Sequence, residues 1–171
     1  MYRKFGKRLV DLVLSGIALI PLSVVYLILA IAIKIDDPGP VFFRQKRVGI
    51  HKSHFHILKF RTMKTETPRD MPTHLLQNPE QYITRVGRFL RKTSLDEFPQ
   101  FINVLKGDMS LIGPRPPLTY HPWPLDSYTD EQKKMFDVRP GITGWAQVHG
   151  RKDVEWHKRI ELNVWYVENV T

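Results

Sequence analysis

An adjacent carboxylate pair, Asp96-Glu97, stands just after Ser94 in the stretch 93–116, TSLDEFPQFINVLKGDMSLIGPRP. A Leu/Phe/Ile-patterned run follows and stops at Gly107, and Gly113-Pro114-Arg115-Pro116-Pro117 then holds one arginine between prolines. An acid pair, a short helix and a rigidly presented cation within about 20 residues are what a phosphate-handling site needs.

The pair also has a purely structural account. Ser94-Leu95-Asp96-Glu97 has the form of a capping box, with Ser at the N-cap and Glu three residues later, and acids in a first helical turn suit the macrodipole. Pro99 complicates this, because at the fifth helical position it removes a hydrogen bond; the helix then begins at Pro99 instead. In either case the carboxylates lie at a helix start, where unpaired N–H groups favour anions, and Gly107 is the expected C′ residue.

The elements that must position this stretch begin with an apolar run, residues 12–33, LVLSGIALIPLSVVYLILAIAI, which carries no charge. At about 1.5 Å per residue it reaches roughly 33 Å, enough to cross a bilayer core. A straight span, a signal peptide with Ala30-Ile31-Ala32 as cleavage site, and a re-entrant hairpin all fit. The run is longer than the usual signal-peptide core, which counts against the second. Pro21 near the middle predicts a kink, with Ser23 close by to satisfy freed backbone groups. Both flanks are basic, Arg3, Lys4, Lys7 and Arg8 before and Arg44, Lys46, Arg47 and Lys52 after, and a straight span cannot keep both on one side. Asp11 should lie at the interface or pair with a nearby cation.

Asp36-Asp37-Pro38-Gly39-Pro40 ends the helix. VFFRQKRV (41–48) and HFHILKFRTM (54–63) read as a β-hairpin. Alternation places His54, His56, Leu58 and Phe60 on one face and Phe55, Ile57, Lys59 and Arg61 on the other, where Lys59 and Arg61 could meet phosphate. His51, His54 and His56 have no accompanying Cys, Asp or Glu in a fixed pattern and read as surface residues rather than a metal site. Residues 64–80 read as a mobile loop. YITRVGRFLRK (82–92) reads as a basic amphipathic helix with Ile83, Val86, Phe89 and Leu90 on its apolar side, suited to a membrane surface or a core. A capping box at Thr129 starts a short helix through Phe136. Arg139-Pro140-Gly141 and Gly144 form a tight loop, and Trp145, Trp156, Trp165 and Tyr166 are the bulky aromatics beyond it.

The chain has 171 residues, a formal net charge of +9, no cysteine and a mean hydropathy of −0.29. The length suggests one domain with a real core, and the charge predicts an anionic partner. Disulfides, thiolate chemistry and Cys-based zinc sites are excluded. Neither G-x-G-x-x-G nor a Walker loop is present, and Asp36-Asp37 is not a spaced D-x-D.

GPVFFRQKRVG (39–49), KFRTM (59–63), the Asp96-Glu97 stretch with GDMSLIGPRP (107–116), VRPGITGWAQVHGR (138–151) and ELNVWYVEN (161–169) together resemble, in order, the blocks of the bacterial sugar transferases, the small monotopic polyprenol-phosphate phosphoglycosyl transferases. The resemblance covers essentially the whole chain. It implies an α+β fold: a Pro-kinked re-entrant membrane helix, a membrane-embedded hairpin over 1–36, then a small mixed interfacial catalytic domain over 37–171 with a β-hairpin and short amphipathic helices. The implied location is the cytoplasmic face of the bacterial inner membrane. The implied reaction transfers a phospho-sugar from a UDP-sugar to a polyprenol phosphate, releasing UMP, by a ping-pong route through a phosphoryl-aspartate on Asp96. Mg²⁺ is the implied cofactor, with Glu97 and Asp96 as its ligands, Glu97 being the candidate for metal ligand or catalytic base. Lys59, Arg91, Arg115, Arg139 and Arg151 are the implied phosphate and substrate binders, and membrane lipids are a further partner. Two residues depart from the family pattern: His149 stands where Asn is usual and Asn163 where Asp is usual. The chain also stops at Thr171, where members usually continue, so a truncated C-terminus is expected. The rival reading, a membrane-anchored basic nucleic-acid-binding or scaffold protein, fits the charge, but the basic residues are dispersed rather than gathered on a recognition element; no nucleic acid partner is expected.

Overall fold

A computed structural model describes residues 5–68, 76–150 and 155–170. The expected loop over 64–80 falls partly on residues 69–75, and Arg151 on 151–154; both segments lie outside the described residues.

The uncharged run forms one helix, α1 (Lys7–Asp36), with Lys34 in its last turn. It is long and apolar enough to cross a membrane, by length and composition. Its helical course continues through Pro21, and Ser23 Oγ donates to the Ile20 carbonyl at 2.6 Å in the same turn. Ile17, Ile20, Val24, Leu27, Ile28 and Ile31 are exposed along it, an apolar surface of the kind lipid solvates and water does not.

The hairpin is present as β1 (Phe42–Val48) and β2 (His54–Phe60), joined through a 3₁₀ turn at Ile50–Lys52. After it come α2 (Arg85–Thr93), α3 (Gln100–Lys106), β3 (Ser110–Ile112), α4 (Asp130–Lys133), β4 (Gly141–Thr143), α5 (Trp145–Gly150) and α6 (Trp156–Asn169). The Thr129 capping box forms, and its helix continues as a 3₁₀ turn over Lys134–Phe136.

Contacts divide the chain into two units, to both of which α1 and the hairpin contribute. The first comprises Met1–Ala18, Gln45–Ile57 and Gln100–Thr171. Its cores gather Val48, Tyr128, Met135, Phe136, Ile160 and Val164 in one cluster and Phe55, Ile57, Val104 and Met109 in another. Here β3 pairs with β4 in parallel, Ser110 opposite Gly141 and Ile112 opposite Thr143. The close approach requires glycine: a Cβ on Gly141 would meet the Gly113 amide nitrogen. Asp11 is buried in this unit. As expected it pairs with Lys7, at 3.2 Å, and it also accepts from Ser110 Oγ at 2.7 Å and from the Leu111 N–H at 3.2 Å.

The second unit comprises Leu19–Arg44 and Leu58–Pro99. Leu29 and Ile33 of α1, Phe60 of β2 and Leu90 of α2 form its core. Burial of a side chain of this size stabilises by roughly 1.5–3 kcal/mol. Strict alternation along β2 holds for His54 to Ile57 and then gives way, because Phe60 and Arg61 are both buried. Arg61 is a structural residue: it ion-pairs with Asp37 and donates to the Pro40 carbonyl at 2.6 Å.

The basic helix is shorter than the sequence pattern suggests. Thr84 caps it by accepting from the Gly87 N–H. Ile83 is buried ahead of the helix, bridged to Met63. Phe89, expected on the buried side, is 54% exposed, beside exposed Arg85, Arg88 and Lys92. Gly87 takes the buried position, because a Cβ there would strike the Thr62 backbone.

Candidate active site

The acid pair sits on a break between two helices, not inside one. α2 ends at Thr93, and Ser94 adopts a left-handed conformation (φ 59°, ψ 15°) that turns the chain. Leu95–Glu97 form a single 3₁₀ turn in which the Glu97 N–H donates to Ser94 O and the Phe98 N–H to Leu95 O, both at 3.2 Å. Pro99 is fully buried, and α3 begins at Gln100. The expected capping box is therefore absent: Ser94 makes no side-chain cap. The alternative start at Pro99 matches within a residue, because proline cannot supply the N–H that a continuous helix would need. Gly107 ends α3 at φ 96°, the C′ conformation expected of it.

Released from capping, Glu97 turns to a cation. Lys59 Nζ donates to Glu97 Oε1 at 2.6 Å and lies 4.0 Å from Asp96 Oδ2. The three side chains are only 15–24% exposed, so the ammonium bridges two carboxylates in a partly desolvated setting. Burial pushes the Asp96 carboxyl above its usual range; Lys59 pulls it down, Glu97 pushes it up, and Arg91 and a backbone N–H lower it. Arg91 is oriented by Nε, which donates to Thr62 Oγ1 at 2.9 Å. The turn is also tied to α1: Tyr26 OH donates to the Phe98 carbonyl at 2.5 Å, and its ring packs edge-on against Phe60 at 5.3 Å. A carboxylate whose charged form burial disfavours and adjacent cations favour suits, once ionised, nucleophilic attack on an electrophilic phosphorus.

Lys59, Arg91, Asp96 and Glu97 are thus brought together in the second unit. Arg115 and Arg139 belong to the first. Arg139 donates Nε to the Gly107 carbonyl at 3.0 Å, fastening the end of α3. Arg115 lines a small cavity with Arg47 and Arg159, two cations that sequence patterns do not single out. Asn163 is buried beside them, and His149 is exposed with its ring 3.6 Å from that of Trp145. Tyr26 is likewise hidden in the sequence; its place in an apolar run masks its hydroxyl.

A profile of the bacterial sugar transferase family matches residues 2–171. The chain is 47% identical over 163 residues to an uncharacterized sugar transferase, EpsL, of Bacillus subtilis, covering 95% of this chain and 78% of that protein. It is 41% identical to the UDP-glucose:undecaprenyl-phosphate glucose-1-phosphate transferase of Escherichia coli, covering 94% of this chain and 36% of that protein. It is 39% identical to the undecaprenyl-phosphate galactose phosphotransferase of Salmonella typhimurium, covering 98% and 37%. The chain belongs to the bacterial sugar transferase family, a family of transferase enzymes. It spans about a third of the length of the second and third of these relatives.

Proposed function

We propose that the chain transfers a sugar phosphate from a UDP-sugar to undecaprenyl phosphate or a similar polyprenol phosphate, as the first committed step of a bacterial surface glycan. The observation that carries this reading is the partly buried Asp96-Glu97 pair on its 3₁₀ turn, bridged by Lys59. It stands in a chain whose relatives are named for this transfer.

In the first half-reaction an Asp96 carboxylate oxygen attacks the sugar-bearing phosphorus. The new oxygen–phosphorus bond forms as the bond to the bridging diphosphate oxygen breaks, and UMP leaves with that oxygen. In the second, a phosphate oxygen of the polyprenol phosphate attacks the same phosphorus and the Asp96 carboxylate departs, giving polyprenol diphosphate sugar. Lys59 favours the ionised form of Asp96 against its desolvation. Arg91, Arg115, Arg139 and Arg151 are the guanidiniums proposed for donor and acceptor phosphates, which their planar forks suit.

Two adjacent carboxylates are a hard-oxygen set that fits Mg²⁺, which takes one or two carboxylates and completes its shell with phosphate oxygens and water. Among the described residues no group of three or more potential ligands occurs, which agrees with such a shared shell. Bound by Glu97 and Asp96, Mg²⁺ would neutralise the charge on the diphosphate.

The lipid acceptor requires a site at the membrane, and α1 supports placement at the cytoplasmic face. Its early residues are held by later chain through Asp11 and Ser110, and its late residues through Tyr26 and Phe98. Basic residues flank the apolar run on both sides, and because a straight span cannot keep both on one side of the membrane this favours a re-entrant course.

The test incubates the protein with a panel of UDP-sugars, Mg²⁺ and undecaprenyl phosphate and reads UMP release. Asp96→Asn should abolish both UMP release and covalent capture of the phospho-sugar, with the fold retained. Near-normal turnover in that variant would sink the mechanism.

A further inference from the structure

We propose that Tyr26 of α1 is a positioning residue for Asp96: its hydroxyl, bonded to the Phe98 carbonyl, fixes how the 3₁₀ turn is rotated and so where the Asp96 carboxylate points. The inference rests on the reading of Asp96 as the nucleophile and adds to that site a residue from the apolar run.

The turn Leu95–Glu97 is closed by backbone bonds at 3.2 Å from the Glu97 and Phe98 N–H groups. A single turn of this kind does not fix its own direction; its surroundings must. α1 holds it on both sides of the acid pair. Leu95, ahead of the pair, packs against the cluster of Leu29, Ile33, Phe60 and Leu90. Phe98, behind the pair, receives the Tyr26 hydroxyl at 2.5 Å. Apolar packing at Leu95 is non-directional and leaves rotation open, whereas a hydrogen bond to a carbonyl prefers one plane and one line. The Tyr26 ring is itself fixed, edge-on to Phe60 at 5.3 Å and 89°. Lys59, whose ammonium lies 4.0 Å from Asp96 Oδ2, is the residue before Phe60. One strand therefore sets both the Tyr26 ring and the ammonium, and the hydroxyl carries that alignment over to the turn.

The hydroxyl has no packing role. Tyr26 is the one tyrosine in the run 12–33. Phenylalanine would make the same edge contact with Phe60 and would spare the cost of drawing a polar atom out of water. What the hydroxyl adds is the bond to Phe98, two residues beyond Asp96. Attack on phosphorus rewards such an anchor, because a misplacement of about 1 Å costs roughly a hundredfold in rate. Tyr26 acts through the Phe98 carbonyl and takes no part in the bonds that form and break.

The test is Tyr26→Phe in the full chain in mild detergent, which keeps the ring and removes the bond. Hydrogen-exchange mass spectrometry across Ser94–Pro99, without substrate, should show the Glu97 and Phe98 amides exchanging about fivefold faster, with α2 unchanged. UMP release should show kcat lowered about tenfold or more and the KM for the UDP-sugar within about twofold of wild type. A residue that only stabilised the fold would lower Tm and leave the kcat of the folded protein intact. Asp96→Asn separates the two readings. If Asp96→Asn is inactive while Tyr26→Phe keeps a normal kcat, or leaves exchange at the turn unchanged, the positioning role is overturned and the nucleophile stands. If Asp96→Asn keeps its turnover, the nucleophile reading fails and takes the positioning role with it.

Discussion

Removing the Lys59 ammonium should separate the two carboxylates energetically. Its Nζ lies 2.6 Å from Glu97 and 4.0 Å from Asp96. At an effective dielectric of about 20, the bare attractions are about 6 and about 4 kcal/mol. Desolvation of all three groups takes back most of this, leaving about 1.5–3 kcal/mol for the short charge-assisted bond to Glu97. Lys59→Met keeps the apolar stem and removes the charge. A double-mutant cycle of Lys59→Met and Glu97→Gln, read by urea unfolding in mild detergent, should therefore give a coupling of about 1.5–3 kcal/mol. A coupling below about 0.5 kcal/mol would place the pair with ordinary surface ion pairs and refute the argument. The same variants make opposite predictions for the acid limb of the kcat/KM profile, where Asp96 must be ionised to attack. Lys59 lowers the Asp96 carboxyl and Glu97 raises it. Lys59→Met should move the limb to higher pH and Glu97→Gln to lower pH. Displacement of both limbs in one direction would show that Asp96 does not set them.

Asp96→Asn should gain stability relative to wild type as pH rises: a carboxyl raised by folding stabilises only while protonated, and that contribution is lost as pH climbs through its folded value. Denaturation midpoints of both proteins from acid to neutral pH test this, and a constant difference contradicts it. Glu97→Gln should weaken the apparent Mg²⁺ affinity, with excess Mg²⁺ restoring part of its rate but none to Asp96→Asn; an unchanged Mg²⁺ midpoint would remove Glu97 from the metal. Gly87→Ala should cost about 1–3 kcal/mol, because its Cβ meets the Thr62 backbone. For a chain of this size that is roughly 2–4 °C of Tm per kcal/mol, and an unchanged Tm would mean that α2 shifts freely. Cysteines at Phe5 and Ser53 in intact cells should both resist an impermeant reagent from outside, and labelling of either would exclude a re-entrant α1.

The sequence alone determined the features that local chemistry dictates. An uncharged run made α1, alternating β-prone residues made the hairpin, Gly107 ended α3, and Thr129 with Gln132 made a capping box. The acid pair and its neighbouring arginine were legible for the same reason, since residue types and short spacings survive without a fold. Tertiary structure decided the partners. Ser94 and Glu97 have the letters of a capping box, yet Glu97 bonds Lys59, because Pro99 breaks the helix and a cation 38 residues away offers more than a backbone N–H. Lys59 and Arg61 looked equivalent on one strand face; one meets the carboxylate pair and the other is buried against Asp37. The parallel pairing of β3 with β4 joins segments about thirty residues apart, each only three residues long, too short for any periodicity to announce. The gathering of Arg47, Arg115 and Arg159 around Tyr128 and Asn163 was equally invisible, because convergence of side chains from distant segments is set by how the chain packs and leaves no pattern in the order of residues.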